Sequence, residues 1–151
     1  MIEPSLPFDE EPVTEESRLD ALDRSWRVRA VDPRFNVALE ASAGTGKTRV
    51  LVDRYVNLLR EGVDPSEILA LTFTRKGAAE MREGIITTLR LAGARGEFAP
   101  SRWRELRDRT ADVEISTIDA FCLSLLREFP LEADLDPGFQ MADETEVPRL
   151  V

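Results

Sequence analysis

A chain of 151 residues, 42% hydrophobic and 32% charged, is about one domain and long enough to bury a core. Its single cysteine, Cys122, excludes an internal disulfide and fits a reducing compartment. No apolar stretch is long enough to cross a bilayer and no charged-then-apolar leader opens the chain, so no membrane partner is expected and the cytoplasm is the expected location. The net charge of −9 is uneven: residues 1–20 and 132–151 carry the net negative charge, while 21–131 is close to neutral. That balance neither demands nor forbids a nucleic-acid partner.

Residues 1–13, with Pro4, Pro7, Pro12 and several acids, read as a disordered acidic arm. The globular part is expected over 14–151. Thr14 suits the N-cap of a first helix, with Glu15 and Glu16 in its first turn and Leu19, Leu22 and Trp26 on one face; Pro33 closes that segment. Asn36 to Glu40 reads as a short buried strand. A helix from Arg49 to Arg60 follows, with Val50, Leu51, Tyr55, Leu58 and Leu59 inward and Gly62 as its stop. Ile68 to Phe73 is a continuous apolar run of the kind found in interior parallel strands. Thr74 can cap the next helix, whose inner face is Met81, Ile85 and Leu89, with Gly93 and Gly96 breaking it. A short helix is expected around Trp103 and Leu106, a strand over Asp112 to Ser116, and a helix from Thr117 to Phe129 with Ile118, Phe121, Leu125 and Leu126 inward. Phe139 to Met141 reads as another short strand, before a helix opening at Asp143. Alternation of this kind predicts an α/β fold: a mostly parallel sheet with helices on both faces. Ligands of such sheets bind beyond the carboxyl ends of the strands, where the loops after the strands are expected to gather.

Between the first strand and its helix stands Ala41-Ser42-Ala43-Gly44-Thr45-Gly46-Lys47-Thr48, which reads as a phosphate-binding loop. Gly44 and Gly46 allow turns closed to other residues and leave backbone N–H groups to face phosphate oxygens. The helix that begins near Gly46 adds its positive end. Lys47 can reach the β- and γ-phosphates as a point charge, and Thr48 offers a hydroxyl to Mg²⁺. Ala41 stands where the pattern usually has its leading glycine.

Three ordered segments carry a resemblance: Glu40 to Thr48 (EASAGTGKT), Leu71 to Arg82 (LTFTRKGAAEMR) and Ile115 to Leu123 (ISTIDAFCL). They resemble motifs I, Ia and Ic of superfamily 1 DNA helicases, within the UvrD-like group. The wording of the first, with Ala-Asp-Glu-Thr-Glu at 142–146, is similar to the RecB and AddA branch. The resemblance implies a P-loop NTPase of RecA-like fold that couples ATP hydrolysis to movement along single-stranded DNA in recombination or repair. It implies that Ala41 to Thr48 hold ATP and that Thr48 meets Mg²⁺. It implies that Thr72, Phe73, Thr74, Arg75 and Thr117 face the DNA strand, and that other subunits of a helicase–nuclease complex are partners. Hydroxyls and an arginine suit phosphates, and an exposed aromatic can stack on a base. On the residues alone, Phe73 equally fits a core aromatic at a strand end, and Arg75 and Lys76 equally fit a solvated helix start.

The sequence departs from that family in places. Asp119 stands where the last motif commonly has His, and it reads better as a helix cap. The glutamine that often reads adenine upstream of motif I is absent; Arg27 lies near its place. Asp143-Glu144 reads as a capping pair rather than the metal-orienting acids that phosphate-loop enzymes need. The expectation is a partial motor domain, the N-terminal part of a longer chain, that turns over little nucleotide alone. The competing readings are a small phosphoryl-transfer enzyme and a non-catalytic nucleotide-binding module.

Overall fold

The computed structural model describes residues 15–40, 42 and 44–141. The expected acidic arm, Ala41, Ala43 and the helix expected at Asp143 lie outside them. The chain divides into two compact units, one ending at Gly62 and one starting at Val63.

The first unit holds helix α1 (Glu15–Val31) and helix α2 (Lys47–Arg60). The buried stripe of α2 is Val50, Val52, Tyr55, Val56 and Leu59. Val52 and Val56 thus take the inward places expected of Leu51 and Leu58, and Leu51 is half exposed at 49%. All of these are apolar, so composition alone could not set the rotation of the helix. Leu19, Leu22 and Trp26 share a face of α1 as expected, yet each is exposed.

The last carbonyls of a helix have no partner within it. At the end of α1 they are met by α2. Arg54 Nη1 donates to the carbonyls of Ala30 (3.0 Å) and Asp32 (2.7 Å), and Nη2 to that of Phe35 (2.7 Å). Asn57 Nδ2 donates to the Val31 carbonyl at 2.8 Å. These donors fix the turn that leads from α1 to the loop before α2. Asn36 to Glu40 forms no strand, contrary to expectation. A strand needs a pairing partner, and the described residues of this unit hold no other strand.

The second unit holds strands β1 (Ala70–Thr72) and β2 (Ile115–Thr117), with helices α3 (Arg75–Ala94), α4 (Pro100–Asp108) and α5 (Ile118–Glu128). The strands pair in parallel, with Ala70 against Ile115, Leu71 against Ser116 and Thr72 against Thr117. A parallel pair needs a crossover, here supplied by α3 and α4. Met81, Ile85, Leu89 and Ala92 are the buried face of α3, joined in the core by Phe98, Leu106 and Val113. The expected strand over Asp112 to Ser116 starts later, because Thr110–Asp112 winds into a 3-10 turn. Phe139 to Met141 is not a strand. Gly93 does not break α3, which runs on until Gly96 turns the chain with a φ of 70°. No residue of α5 is buried: of its expected inward residues, Ile118, Leu125 and Leu126 are exposed and Phe121 is half-buried.

Arg109 ties together the segments that lead into the two strands. Its Nη1 and Nη2 donate to the Asp64 carboxylate at 2.6 and 2.8 Å, and its Nε to Asp112 at 2.7 Å. Asp64 also accepts from the hydroxyl and backbone N–H of Ser66 (2.7 and 3.0 Å) and so caps the Pro65–Glu67 turn. The Arg109 guanidinium first, and then Ser66, hold the Asp64 carboxyl well below the usual carboxylate range. A depressed folded-state pKa stabilises the fold above the unfolded value of about 4, and that contribution drains away as pH falls below it. Unfolding followed by circular dichroism should therefore show stability falling as pH drops below about 4, with Asp64→Asn flattening that fall. An acid limb unchanged in Asp64→Asn would show that this pair does not set it.

Candidate nucleotide site and nucleic-acid face

Gly44 and Gly46 sit at φ 79° and 85°, the left-handed region that side-chain-bearing residues rarely adopt. Gly46 is the N-cap of α2, and no side chain caps that helix. The carbonyl of Gly46 accepts from Val50 N–H at 3.1 Å, which starts the helical ladder. The start of α2 is thus the positive end of a helix dipole, the kind of place where anions bind.

Within the loop, the Ser42 carbonyl accepts from Thr45 Oγ1 at 2.7 Å and from Lys47 Nζ at 2.6 Å. Lys47 thus spans the loop and holds its charge there. A phosphate competes for that ammonium, and a charge-assisted bond to phosphate is roughly twice as strong as a bond to a neutral carbonyl. Outside the loop, Arg27 of α1 donates from Nη2 to the Thr45 carbonyl at 3.0 Å, and its Nε pairs with Asp23 at 2.7 Å. Thr48 stands in the first turn, where its hydroxyl suits a divalent cation shared with phosphate oxygens. Among the described residues no group of His, Cys, Asp and Glu could hold a metal alone.

The second group of expected site residues lies in the other unit. Register pairs Thr72 with Thr117 at the carboxyl ends of β1 and β2. From there each chain turns directly into a helix. Thr74 caps α3, accepting from Gly77 N–H at 3.0 Å, and Thr117 caps α5, accepting from Ala120 N–H at 3.2 Å. Asp119, expected as that cap, sits in the first turn of α5, where its charge suits the dipole. Phe73, between strand and helix, is 85% exposed and lies outside the core of this unit.

The first turn of α3 carries Arg75 and Lys76 and no acid. Cations at a helix N-terminus oppose the dipole and cost stability unless an anion joins them. Lys76 has Glu80 at 3.8 Å, an exposed pair that offsets little. A local choice that works against the fold is expected at a functional surface. The structure thus brings together Thr72, Phe73, Thr74, Arg75 and Thr117, the set expected to face nucleic acid. Arg82, seven residues into α3, reaches the carbonyls of Val113 (3.0 Å) and Thr110 (3.3 Å) and so ties α3 to the segment leading into β2. Neither that tie nor the one from Arg27 to the loop could be found from the sequence, because the partner in each is a distant backbone carbonyl.

A glycine-turned loop at the start of a helix that no side chain caps, in a chain with a parallel strand pair joined by helices, is what an α/β protein of the phosphate-loop class presents. Residues 24–151 match the family described as the UvrD/REP helicase N-terminal domain. The chain belongs to that family. It is similar to a protein of Levilactobacillus brevis named as a subunit of an ATP-dependent helicase/nuclease, 49% identical over 116 residues, covering 74% of this chain and 9% of the relative. A protein of the same name from Heliobacterium modesticaldum is 41% identical over 130 residues, covering 85% of this chain and 9% of the relative. The chain therefore spans about a tenth of the length of these relatives. Among the described residues no helix is long and apolar enough to cross a membrane.

Proposed function

We propose that this chain is the ATP-binding part of an ATP-dependent DNA helicase or translocase that acts on single-stranded DNA in recombination or repair, in the cytoplasm. Mg²⁺–ATP sits on the loop from Ala41 to Thr48. Lys47 and the first-turn N–H groups of α2 hold the phosphates, and Thr48 holds the metal ion, which neutralises phosphate charge. Single-stranded DNA lies across the face made by Thr72, Phe73, Thr74, Arg75 and Thr117. Other subunits of a helicase–nuclease complex are the protein partners, a reading supported by the name that the relatives carry.

The observation that carries the reading is the loop itself: left-handed Gly44 and Gly46 at the uncapped start of α2, with Lys47 already drawn across it. The direct test is calorimetry of Mg²⁺–ATP with the purified chain. Absence of binding at millimolar nucleotide would overturn it.

The DNA half has its own test. Phe73 exposes its ring beside two hydroxyls and Arg75, as a stacking platform requires. Base–aromatic stacking contributes about 1–3 kcal/mol per base. Phe73→Ala should weaken binding of a fluorescent oligo-dT roughly tenfold, read by anisotropy, with no loss of thermal stability because the ring buries little surface. Equal affinity for the variant and the parent would remove Phe73 from the DNA site.

A further inference from the structure

Arg27 belongs to α1, eighteen residues before Thr45, whose carbonyl it holds. Arg27 Nη2 donates to the Thr45 carbonyl at 3.0 Å, while Asp23, one turn back along α1, fixes the other end of the guanidinium at 2.7 Å. A Cβ placed on Gly46 would lie 3.4 Å from Arg27 Nη1, so the guanidinium lies close against the Thr45–Gly46 peptide. No peptide bond among the described residues is cis. In a trans peptide the carbonyl and the following N–H point in opposite directions. Holding the Thr45 carbonyl towards α1 therefore turns the Gly46 N–H away from it. Glycine populates φ of either sign about equally, so Gly46 at φ 85° would let this peptide turn over at little cost. The one side-chain donor described on this carbonyl is Arg27.

We infer that Arg27 is a positioning residue for the phosphate loop. It locks the Thr45–Gly46 peptide in the orientation that presents the Gly46 N–H to a polyphosphate, and Asp23 aims it. This rests on the nucleotide reading above and adds that α1 sets the loop's affinity for phosphate. Arg27 also lines a cavity of about 280 Å³ with Trp26, Val37, Leu39, Lys47 and Val50. A direct contact to the nucleobase in that cavity is the competing role, and so is simple charge attraction to phosphate. The three make different predictions.

The test measures binding of Mg²⁺–ATP and of Mg²⁺–tripolyphosphate, which has no base, to the purified chain and to Arg27→Met, Asp23→Asn and Lys47→Ala. Both α1 residues are largely exposed, with side chains 42% and 61% accessible, so the variants should fold; thermal melts check this. Losing one positioned hydrogen bond corresponds to roughly fivefold to tenfold. Arg27→Met should lose that factor for both ligands alike, and Asp23→Asn should lose about twofold to threefold for both. Loss for ATP but not tripolyphosphate would overturn the inference in favour of a base contact. Tighter binding in Asp23→Asn would overturn it in favour of bare charge attraction, since removing an acid then helps the anion. Unchanged binding in Arg27→Met, with Lys47→Ala impaired, would overturn it while leaving the nucleotide reading intact. Unchanged binding in Lys47→Ala would overturn both. A failed fold in Arg27→Met leaves Asp23→Asn to decide by the sign of its effect.

Discussion

Replacing Lys47 with alanine is expected to cost about 100-fold or more in affinity for Mg²⁺–ATP and to leave the first unit folded. The two halves of that expectation have separate physical grounds. For affinity, truncating one partner of a hydrogen-bonded charge pair costs about 2–5 kcal/mol, much of it from leaving the other charge without its partner. At about 1.4 kcal/mol per tenfold, the middle of that range is more than 100-fold. For stability, Lys47 lies outside the buried stripe of α2, which is Val50, Val52, Tyr55, Val56 and Leu59. The variant loses the bond from Nζ to the Ser42 carbonyl, worth about 1 kcal/mol in a loop exposed to water. Calorimetry with Mg²⁺–ATP and a thermal melt read the two halves independently. Binding unchanged from the parent would sink the phosphate-loop assignment. Binding lost together with the cooperative melt would show that Lys47 is a structural residue.

What could be read from the sequence was what local pattern controls. The run from Ile68 to Phe73 and the Met81–Ile85–Leu89 spacing led to β1 and to the buried face of α3. The loop was legible because Gly44, Gly46, Lys47 and Thr48 are near neighbours in sequence, so the left-handed turns and the helix start they make are local. What failed depended on distant partners. Asn36 to Glu40 has the composition of a strand, but pairing is a property of two segments, and the described residues of its unit supply only one. Thr117 and Asp119 are both good cap formers, and the choice fell to Thr117 because its backbone is extended, at φ −79° and ψ 154°, as it leaves β2. Arg27, Arg54 and Arg82 each spend a guanidinium on backbone carbonyls far away in sequence, and although Arg27 and Arg82 fall at or in family segments, nothing local names the carbonyl that each one holds.

Gly93 is where the local rule and the structure predict opposite signs. A glycine inside a helix costs about 1 kcal/mol relative to alanine, so Gly93→Ala should stabilise α3 on propensity alone. The structure predicts the reverse. A Cβ at Gly93 would come within 2.6 Å of three ring atoms of Trp103, from α4, a distance real Cβ atoms essentially never show. The indole cannot step aside cheaply: it stacks on Phe98 with centroids 6.3 Å apart, and Phe98 is itself part of the core. The glycine is therefore the gap into which Trp103 fits, and the helix bears its propensity cost for the sake of that packing. Overpacking of this kind costs about 1–3 kcal/mol. Gly93→Ala should accordingly destabilise the chain by about 2 kcal/mol, a fall in melting temperature of roughly 4–8 °C. The decisive measurement is the double variant. With Trp103→Ala in place the collision is gone, and adding Gly93→Ala should then raise stability by up to ~1 kcal/mol. A Gly93→Ala substitution that stabilises the chain with Trp103 present would mean that α3 and α4 do not meet as described. If the effect has the same sign and size with and without Trp103, the glycine is kept for some reason other than the indole.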